Sequence, residues 1–311
     1  MVTLVVKRIG FMIFTMIVVS LILFLLLETE LTGDPAARVL GQFSNEEQRE
    51  LWREQHGYNQ PVMLRYVKWL GNFATGDLGE SIRFKGPVAD VMLPRLWNTA
   101  ILGFWTFAIM IPLSLTLGVL SGMKEGSKLD RSISVFGILT TSVPEFASAV
   151  FFSALFVFGL KWLPGTSSMS GGFEFKQLIL PAMVLVVYDF GYVARMTRAS
   201  MAEVMTSQYI RTAVLKGLPY RSVIVKHALR NALIAPFTVI MLQINWLLSG
   251  VIVVEFFFAY KGFGALILEA SLNNDIALLE ACAMVAVCVA VATQTIADIG
   301  YTFLNPRIRF S

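Results

Sequence analysis

Few side chains in this sequence have the types and spacing that catalysis or metal binding requires. Cys282 and Cys288 lie six residues apart in the last apolar run, on different helix faces, which is typical of small core residues rather than a disulfide. No serine, cysteine or histidine set suggests covalent catalysis. His56 has no partner at metal-site spacing, and His227 is expected on the opposite side of the membrane from it. The chain also lacks a Gly-x-x-x-x-Gly-Lys-[Ser/Thr] phosphate loop. We therefore predict no catalytic residue, no metal, no cofactor in this chain and no ATP hydrolysis by it.

The concentrated charge lies instead in residues 195–230, which hold seven cations opposed only by Glu203. The cations are Arg195, Arg198, Arg211, Lys216, Arg221, Lys226 and Arg230. Helix-forming residues predict a helix over residues 202–216, ended by Gly217 in the left-handed conformation, with a second short helix beginning near Tyr220. A helix, a glycine turn and a second helix would form a rigid knob that an outside protein could push.

The elements that must position this segment are membrane spans. The chain of 311 residues is 56% hydrophobic and only 15% charged, whereas soluble domains are about 25% charged. The sequence therefore predicts an all-α polytopic membrane protein. Its net charge of +4 is small and concentrated in loops, so no nucleic-acid partner is expected, while membrane lipid is.

Six spans are predicted, at about residues 9–27, 98–122, 132–160, 178–194, 231–254 and 279–304. The first apolar run is nineteen residues long, enough to cross a core of about 30 Å, and no small-residue cleavage site follows it. Pro112 predicts a kink in the second span. Cationic loops stay in the cytoplasm, so the basic segment and both termini are expected there.

The polar segment between the first two spans is expected outside, because residues 28–95 hold ten acidic and eight basic side chains. Ser44 and Glu47 predict a capping box before a helix of about ten residues. The predicted organisation is a first transmembrane helix (1–28), a periplasmic insertion (29–95), a membrane core with a cytoplasmic loop at 201–230 (96–304) and a cytoplasmic tail (305–311).

The basic segment resembles a known motif. Arg-Thr-Ala at 211–213, Gly217 and the His-Ala-Leu-Arg-Asn-Ala-Leu run at 227–233 before Pro236 are similar to the EAA loop of ABC-importer permeases. The usual glutamate is replaced by Arg211, as is frequent in the dipeptide, oligopeptide and nickel branch. Resemblance to that branch extends over nearly the whole chain and includes Gly-Asp-Leu-Gly at 76–79, Ser-Val-Pro-Glu-Phe at 142–146, residues 194–201 and Asn-Pro-Arg-Ile-Arg at 305–309. Lys261 departs from it by replacing a proline.

The resemblance implies a type I ABC importer permease fold in a bacterial inner membrane. Its loop would be the coupling helix that docks on an ATPase subunit, with Arg211, Thr212, Ala213, Lys216, Gly217 and Leu218 as the contact residues. The implied partners are a homologous second permease, as a heterodimer, two ATPase subunits carrying ATP and Mg, and a periplasmic solute-binding protein. The solute stays open among dipeptides, oligopeptides, opines, oligosaccharides and nickel chelates.

Candidates for the translocation path are Asp189, Tyr188 and Glu145. A carboxylate at the centre of a span costs about 2.5–3.5 kcal/mol on insertion scales, so Asp189 should face protein or water. Two interpretations stay open for it. One is a hydrogen bond within the bundle or a pair with a partner-subunit cation, and the other is contact with a cationic, amine-bearing or hydroxyl-bearing solute.

Two other functional classes compete with the importer. An ion-coupled secondary transporter would show inverted repeats and intramembrane charges; no repeat is visible, although four acids lie within or at the ends of spans. These acids are Glu145, Asp189, Glu255 and Asp298. A small-solute channel would not need the specialised basic loop.

Overall fold

The computed structural model describes residues 2–28, 34–41, 43–169 and 171–304, which are predominantly helical. In chain order the elements are α1 (Val2–Glu28), α2 (Pro35–Leu40), α3 (Glu46–Gln55), α4 (Val62–Thr75), β1 (Glu80–Ser81), β2 (Gly86–Pro87), α5 (Val88–Met123), α6 (Lys128–Ser142), α7 (Glu145–Ser153), α8 (Phe175–Met205), α9 (Gln208–Leu215), α10 (Tyr220–Ser222), α11 (Leu229–Ala232), α12 (Ile234–Phe257), α13 (Phe263–Leu272) and α14 (Ile276–Leu304). Single π-helical turns follow α7 (Ala154–Gly159) and α10 (Val223–Ala228). The predictions for residues 29–33 and 305–311 lie outside the described residues.

Within the described residues, four helical segments are long and apolar enough to cross a membrane, namely Ile9–Leu27, Val88–Met123, Phe175–Met205 and Ile276–Ala297. Two further pairs of helices meet the same criterion together, although each pair is bent. The chain is therefore a multi-pass membrane protein with four to six membrane-capable segments. Helix α5 continues through Pro112, and the kink there stays a prediction.

The third predicted span, over residues 132–160, is not one continuous helix. Helix α6 ends at Ser142, α7 begins at Glu145, and the two helices meet at an angle of 100°. Pro144 has no N–H to continue the helix, and a residue that precedes proline avoids the helical region. Val143 accordingly adopts an extended conformation with φ −93° and ψ 123°. The fifth span is also bent, by 48° between Tyr220–Ala232 and Ile234–Ile244.

A single helix over residues 202–216 is also wrong, because the chain breaks between α8 and α9. Hydroxyl side chains at the break bond to the preceding turn: Thr206 Oγ1 donates to the Glu203 carbonyl at 2.8 Å and Ser207 Oγ to the Val204 carbonyl at 2.6 Å. Such local bonds compete with helix continuation. The break makes α9 a separate element.

The ten-residue helix expected after Ser44 is confirmed as α3, but its capping box is one residue later. Asn45 caps the backbone N–H of Gln48 at 2.8 Å, and the Gln48 side chain accepts from the Asn45 N–H at 3.1 Å. Ser44 Oγ instead donates to the Gly41 carbonyl. Asparagine and serine are comparable N-caps. Asn45 is the cap because the helix begins at Glu46, directly after it.

The chain divides into two compact units. The first contains residues up to Thr99 together with Gly262–Ala292. Its core lies around Val88, Met92, Phe263, Leu266 and Cys282, which places Cys282 as the small core residue that the sequence predicts. The buried carboxylate of Asp275 accepts from Ser81 Oγ at 2.5 Å and from the Arg83 N–H at 3.1 Å.

The second unit contains Ala100–Lys261 and residues from Thr293 onward. Helix α8 is its central element and packs against α6, α7 and α12. Glycines permit the closest approaches: a Cβ on Gly118 would lie 2.7 Å from the Ala194 carbonyl oxygen, and one on Gly191 would lie within 2.1 Å of the Gly137 carbonyl oxygen. The four-part division predicted from the sequence stays a prediction.

Candidate functional site

The helix–turn–helix segment of residues 208–222, which we call the knob, is shaped by Gly217. This glycine has φ +73°, as the sequence predicts. The Gly217 N–H donates to the Val214 carbonyl at 2.9 Å and the Leu218 N–H to the Ala213 carbonyl at 3.4 Å. This pair of bonds is the Schellman arrangement that ends a helix. The chain then enters α10 after Pro219, which has no N–H to satisfy.

The inner face of the knob is anchored in an apolar cluster. Ile210 and Ala213 are buried and pack with Met201 at the end of α8 and with Val223 and Ile224 of the following π turn. Close packing of this kind transmits displacement because cores deform little. A displacement of α9 would therefore act on α8 and on the π-helical turn Val223–Ala228.

The outer face of the knob is exposed and partly apolar. Of the six predicted coupling residues, Ala213 is buried, whereas the other five are exposed: Arg211, Thr212, Lys216, Gly217 and Leu218. The tip also exposes large apolar side chains that the prediction left out, with Leu215 exposed by 80%, Val214 by 51% and Tyr220 by 50%. Neighbouring exposed apolar side chains with a charged surround are characteristic of protein interaction sites.

An ion pair that sequence reasoning missed joins the first turn of α6 to α8. Arg198 Nε donates to Asp130 Oδ1 at 2.9 Å and its Nη2 donates to Oδ2 at 2.8 Å. Asp130 is 3% exposed and also accepts from Ser121 Oγ and the Gly126 N–H. Ser127, which caps the Asp130 N–H, is a sequence signal that could have identified this carboxylate at a helix start.

Asp189 of α8 is fully buried, and it contacts α12. Gln243 Nε2 donates to its Oδ1 at 2.6 Å, and its Oδ2 has no hydrogen-bond partner among the described residues. A hydrogen bond within the bundle was one of the two interpretations open for Asp189, and that bond is present. Whether Asp189 also meets the solute stays a prediction. The nearby Gly191 makes room for the backbone of α6.

A polar cavity of about 180 Å³ adjoins this pair, and its lining residues are Thr141, Tyr188, Tyr192, Arg195 and Gln243. Tyr188 was a predicted path residue and lines it. Asp189 reaches the cavity wall only through Gln243, and Glu145, half-buried at the start of α7, does not line it. The sequence signal that could have found Tyr192 and Arg195 is their spacing from Tyr188, since positions i, i+4 and i+7 share one helix face.

Comparison with known proteins gives matches to two family descriptions. Residues 114–310 match "Binding-protein-dependent transport system inner membrane component", and residues 1–100 match the N-terminal part of such membrane components. These two matches together cover most of the chain. The second match includes the whole segment between the first two predicted spans.

Full-length relatives carry consistent names. A Brucella abortus protein provisionally named as a peptide transport system permease is 35% identical over 314 residues, covering all of both chains. The oligopeptide transport system permease protein AppB of Bacillus subtilis is 33% identical, with 89% of this chain and 90% of that protein covered. The glutathione transport system permease protein GsiC of Shigella flexneri is 31% identical, with 98% of both covered. The chain belongs to the family of inner membrane components of binding-protein-dependent transport systems.

Proposed function

We propose that this protein is the permease subunit of an ATP-driven ABC importer for peptides, and that its knob couples the membrane helices to an ATPase subunit. Family membership and the peptide, oligopeptide and glutathione transport named for its relatives support the importer and its solute class. An ion-coupled secondary transporter is not favoured by any of these relatives.

The observation that carries the coupling role is the two-sided build of α9. One face of α9 is fixed in the apolar cluster through Ile210 and Ala213. Its exposed side presents Leu215 and Arg211, and the turn that follows adds Lys216 and Leu218. Burying a leucine stabilises an interface by about 1.5–3 kcal/mol. A groove on an ATPase with apolar walls and an acidic rim would match this face.

The proposed assembly contains a second homologous permease, two ATPase subunits that bind ATP and Mg, and a periplasmic solute-binding protein. This chain would cross the bacterial inner membrane six times, each bent pair of helices counting as one span. Both termini and the knob would be cytoplasmic, and residues 29–95 would form an extracytoplasmic insertion. Alternating access follows: closure of the ATPases on ATP moves the two knobs together, and the packed helices open toward the loaded binding protein.

Within this mechanism, Asp189, Tyr188 and Glu145 are proposed to lie along the translocation path. The buried carboxylate behind Gln243 supports this role, because an intramembrane acid is rare and is typically retained for function. Closure of the helix bundle in one state would bury Asp189, and movement of α6 away from α8 in the other state would expose it to the path.

The coupling role is tested by Leu215→Asp, which places a charge at the most exposed apolar position of the knob. Co-purification of the ATPase subunits and ATP-driven uptake should both be lost, because an aspartate cannot be buried in an apolar groove without a large desolvation cost. Leu272→Asp is the matched control, since Leu272 of α13 is 70% exposed and lies outside the knob. Retention of ATPase subunits and of uptake in Leu215→Asp would refute coupling through this surface.

A further inference from the structure

The polar cavity beside α8 is lined by Arg195, and no ion pair joins this arginine to an acidic side chain in the described part of the chain. Arg195 donates from Nε to the Gly191 carbonyl at 3.2 Å and from Nη2 to Thr141 Oγ1 at 3.4 Å, and both acceptors are neutral. Arg198, only three residues further on, is instead paired with Asp130 and Glu125. Two arginines on one helix thus have different environments, and only Arg195 lines the cavity.

The rest of the cavity wall favours an anionic oxygen ligand. Tyr192 contributes a hydroxyl group that can donate, and the Arg195 guanidinium forms the planar fork that matches a carboxylate. The volume of about 180 Å³ is below the ~300–1,000 Å³ typical of sites that enclose a whole small molecule, so it suits one end group.

We propose that Arg195, with Tyr188, Tyr192 and Thr141, forms a subsite that binds the carboxylate group of the transported solute. This proposal rests on the proposed importer function and deepens it by naming a chemical group that the solute carries. The C-terminal carboxylate of a short peptide has the required charge and size. Gln243, which donates to Asp189, is the remaining lining residue.

The test measures binding of two probes to the intact complex of both permeases and the ATPases, without the binding protein, in phosphatidylcholine nanodiscs. The probes are trialanine and trialanine amide, which differ only in the terminal carboxylate. Wild type should bind the free acid saturably and the amide about tenfold or more weakly, since a hydrogen bond to a charged group is lost. Absence of saturable acid binding by wild type would overturn the proposal.

Arg195→Gln should reduce binding of the acid to the level of the amide, whereas Arg131→Gln, at an exposed cation of α6, should leave the preference unchanged. If Arg195→Gln fails to assemble, Tyr192→Phe provides the second test, with a loss of acid binding of about threefold from one removed hydroxyl. An undiminished preference for the acid in the assembled variants would overturn the subsite.

Two further arms distinguish solute binding from lipid binding and from a failure of assembly. Nanodiscs containing phosphatidylglycerol should bind the acid as phosphatidylcholine nanodiscs do; competition by that lipid would assign the site to a headgroup phosphate and overturn the solute subsite. Co-purification of the ATPase subunits tests the proposed importer separately: they should remain with Arg195→Gln and be lost from Leu215→Asp. The coupling role can therefore be correct even if the carboxylate subsite is not.

Discussion

The conformation of Gly217 gives a prediction whose magnitude follows from the structure. A Cβ built on this residue meets nothing within 4 Å, so a substitution meets no steric obstacle other than its own backbone. The cost of placing an L-residue at φ +73° is therefore conformational, about 1–2 kcal/mol for an ordinary residue and more for a β-branched one. Gly217→Val should raise the population of an opened turn by roughly 5–30-fold or more.

Limited tryptic digestion of the membrane-embedded complex measures that opening directly. The bond after Lys216 lies in the turn, and cleavage tracks the open population when opening is fast relative to cleavage. Gly217→Val should be cleaved there roughly 5–30-fold faster, and it should lose ATPase association and uptake while membrane insertion survives. Lys124, exposed in the turn between α5 and α6, provides an internal reference whose cleavage rate should not change.

Gly217→Asn is the matched variant, because asparagine tolerates the left-handed region better than other residues with a side chain. It should retain most of the protection and most of the uptake. Equal cleavage rates and wild-type uptake in Gly217→Val would refute the argument that the turn holds the knob in its working shape.

Three further predictions concern topology, the path and stability. An impermeant thiol reagent should label a cysteine placed at Ser44 only from the periplasmic side and one placed at Ser222 only from the cytosol; reversed labelling would overturn the orientation. Asp189→Asn and Asp189→Ala should assemble and hydrolyse ATP but lose uptake, and unchanged uptake in both would remove Asp189 from the path. Asp130→Ala should destabilise the protein by about 1.5–3 kcal/mol, because it removes the hydrogen bonds that the buried carboxylate accepts from Arg198, Ser121 and the Gly126 N–H, against about 0–1 kcal/mol for the exposed Glu125→Ala; equal losses of thermal stability would contradict this difference.

Local signals in the sequence predicted local structure well. The left-handed Gly217, the helix after Ser44 and the apolar stretches within α1, α8 and α14 each depend on residues that are neighbours in the chain. The break at Pro144 was visible in the sequence as well, but an apolar run long enough for one span outweighed it. Hydropathy sums composition over a window and carries no information about direction.

Long-range pairings could not be read from the sequence. The bond from Arg198 to Asp130 joins residues 68 positions apart, and the bond from Gln243 to Asp189 joins residues 54 apart. Nothing in the local pattern distinguishes Arg195 from Arg198. In the fold, Arg198 pairs with Asp130, whereas Arg195 lines the cavity. Tertiary packing alone decides which of several similar charged side chains meet.

The central claim, import driven by ATP through this chain, is tested most directly by uptake into proteoliposomes that contain both permeases and the ATPases, with the solute-binding protein and peptide outside. The account predicts uptake that requires ATP and Mg inside and that persists when ionophores collapse every ion gradient. Uptake that continues without ATP and stops with the ionophores would contradict the account and establish an ion-coupled transporter instead.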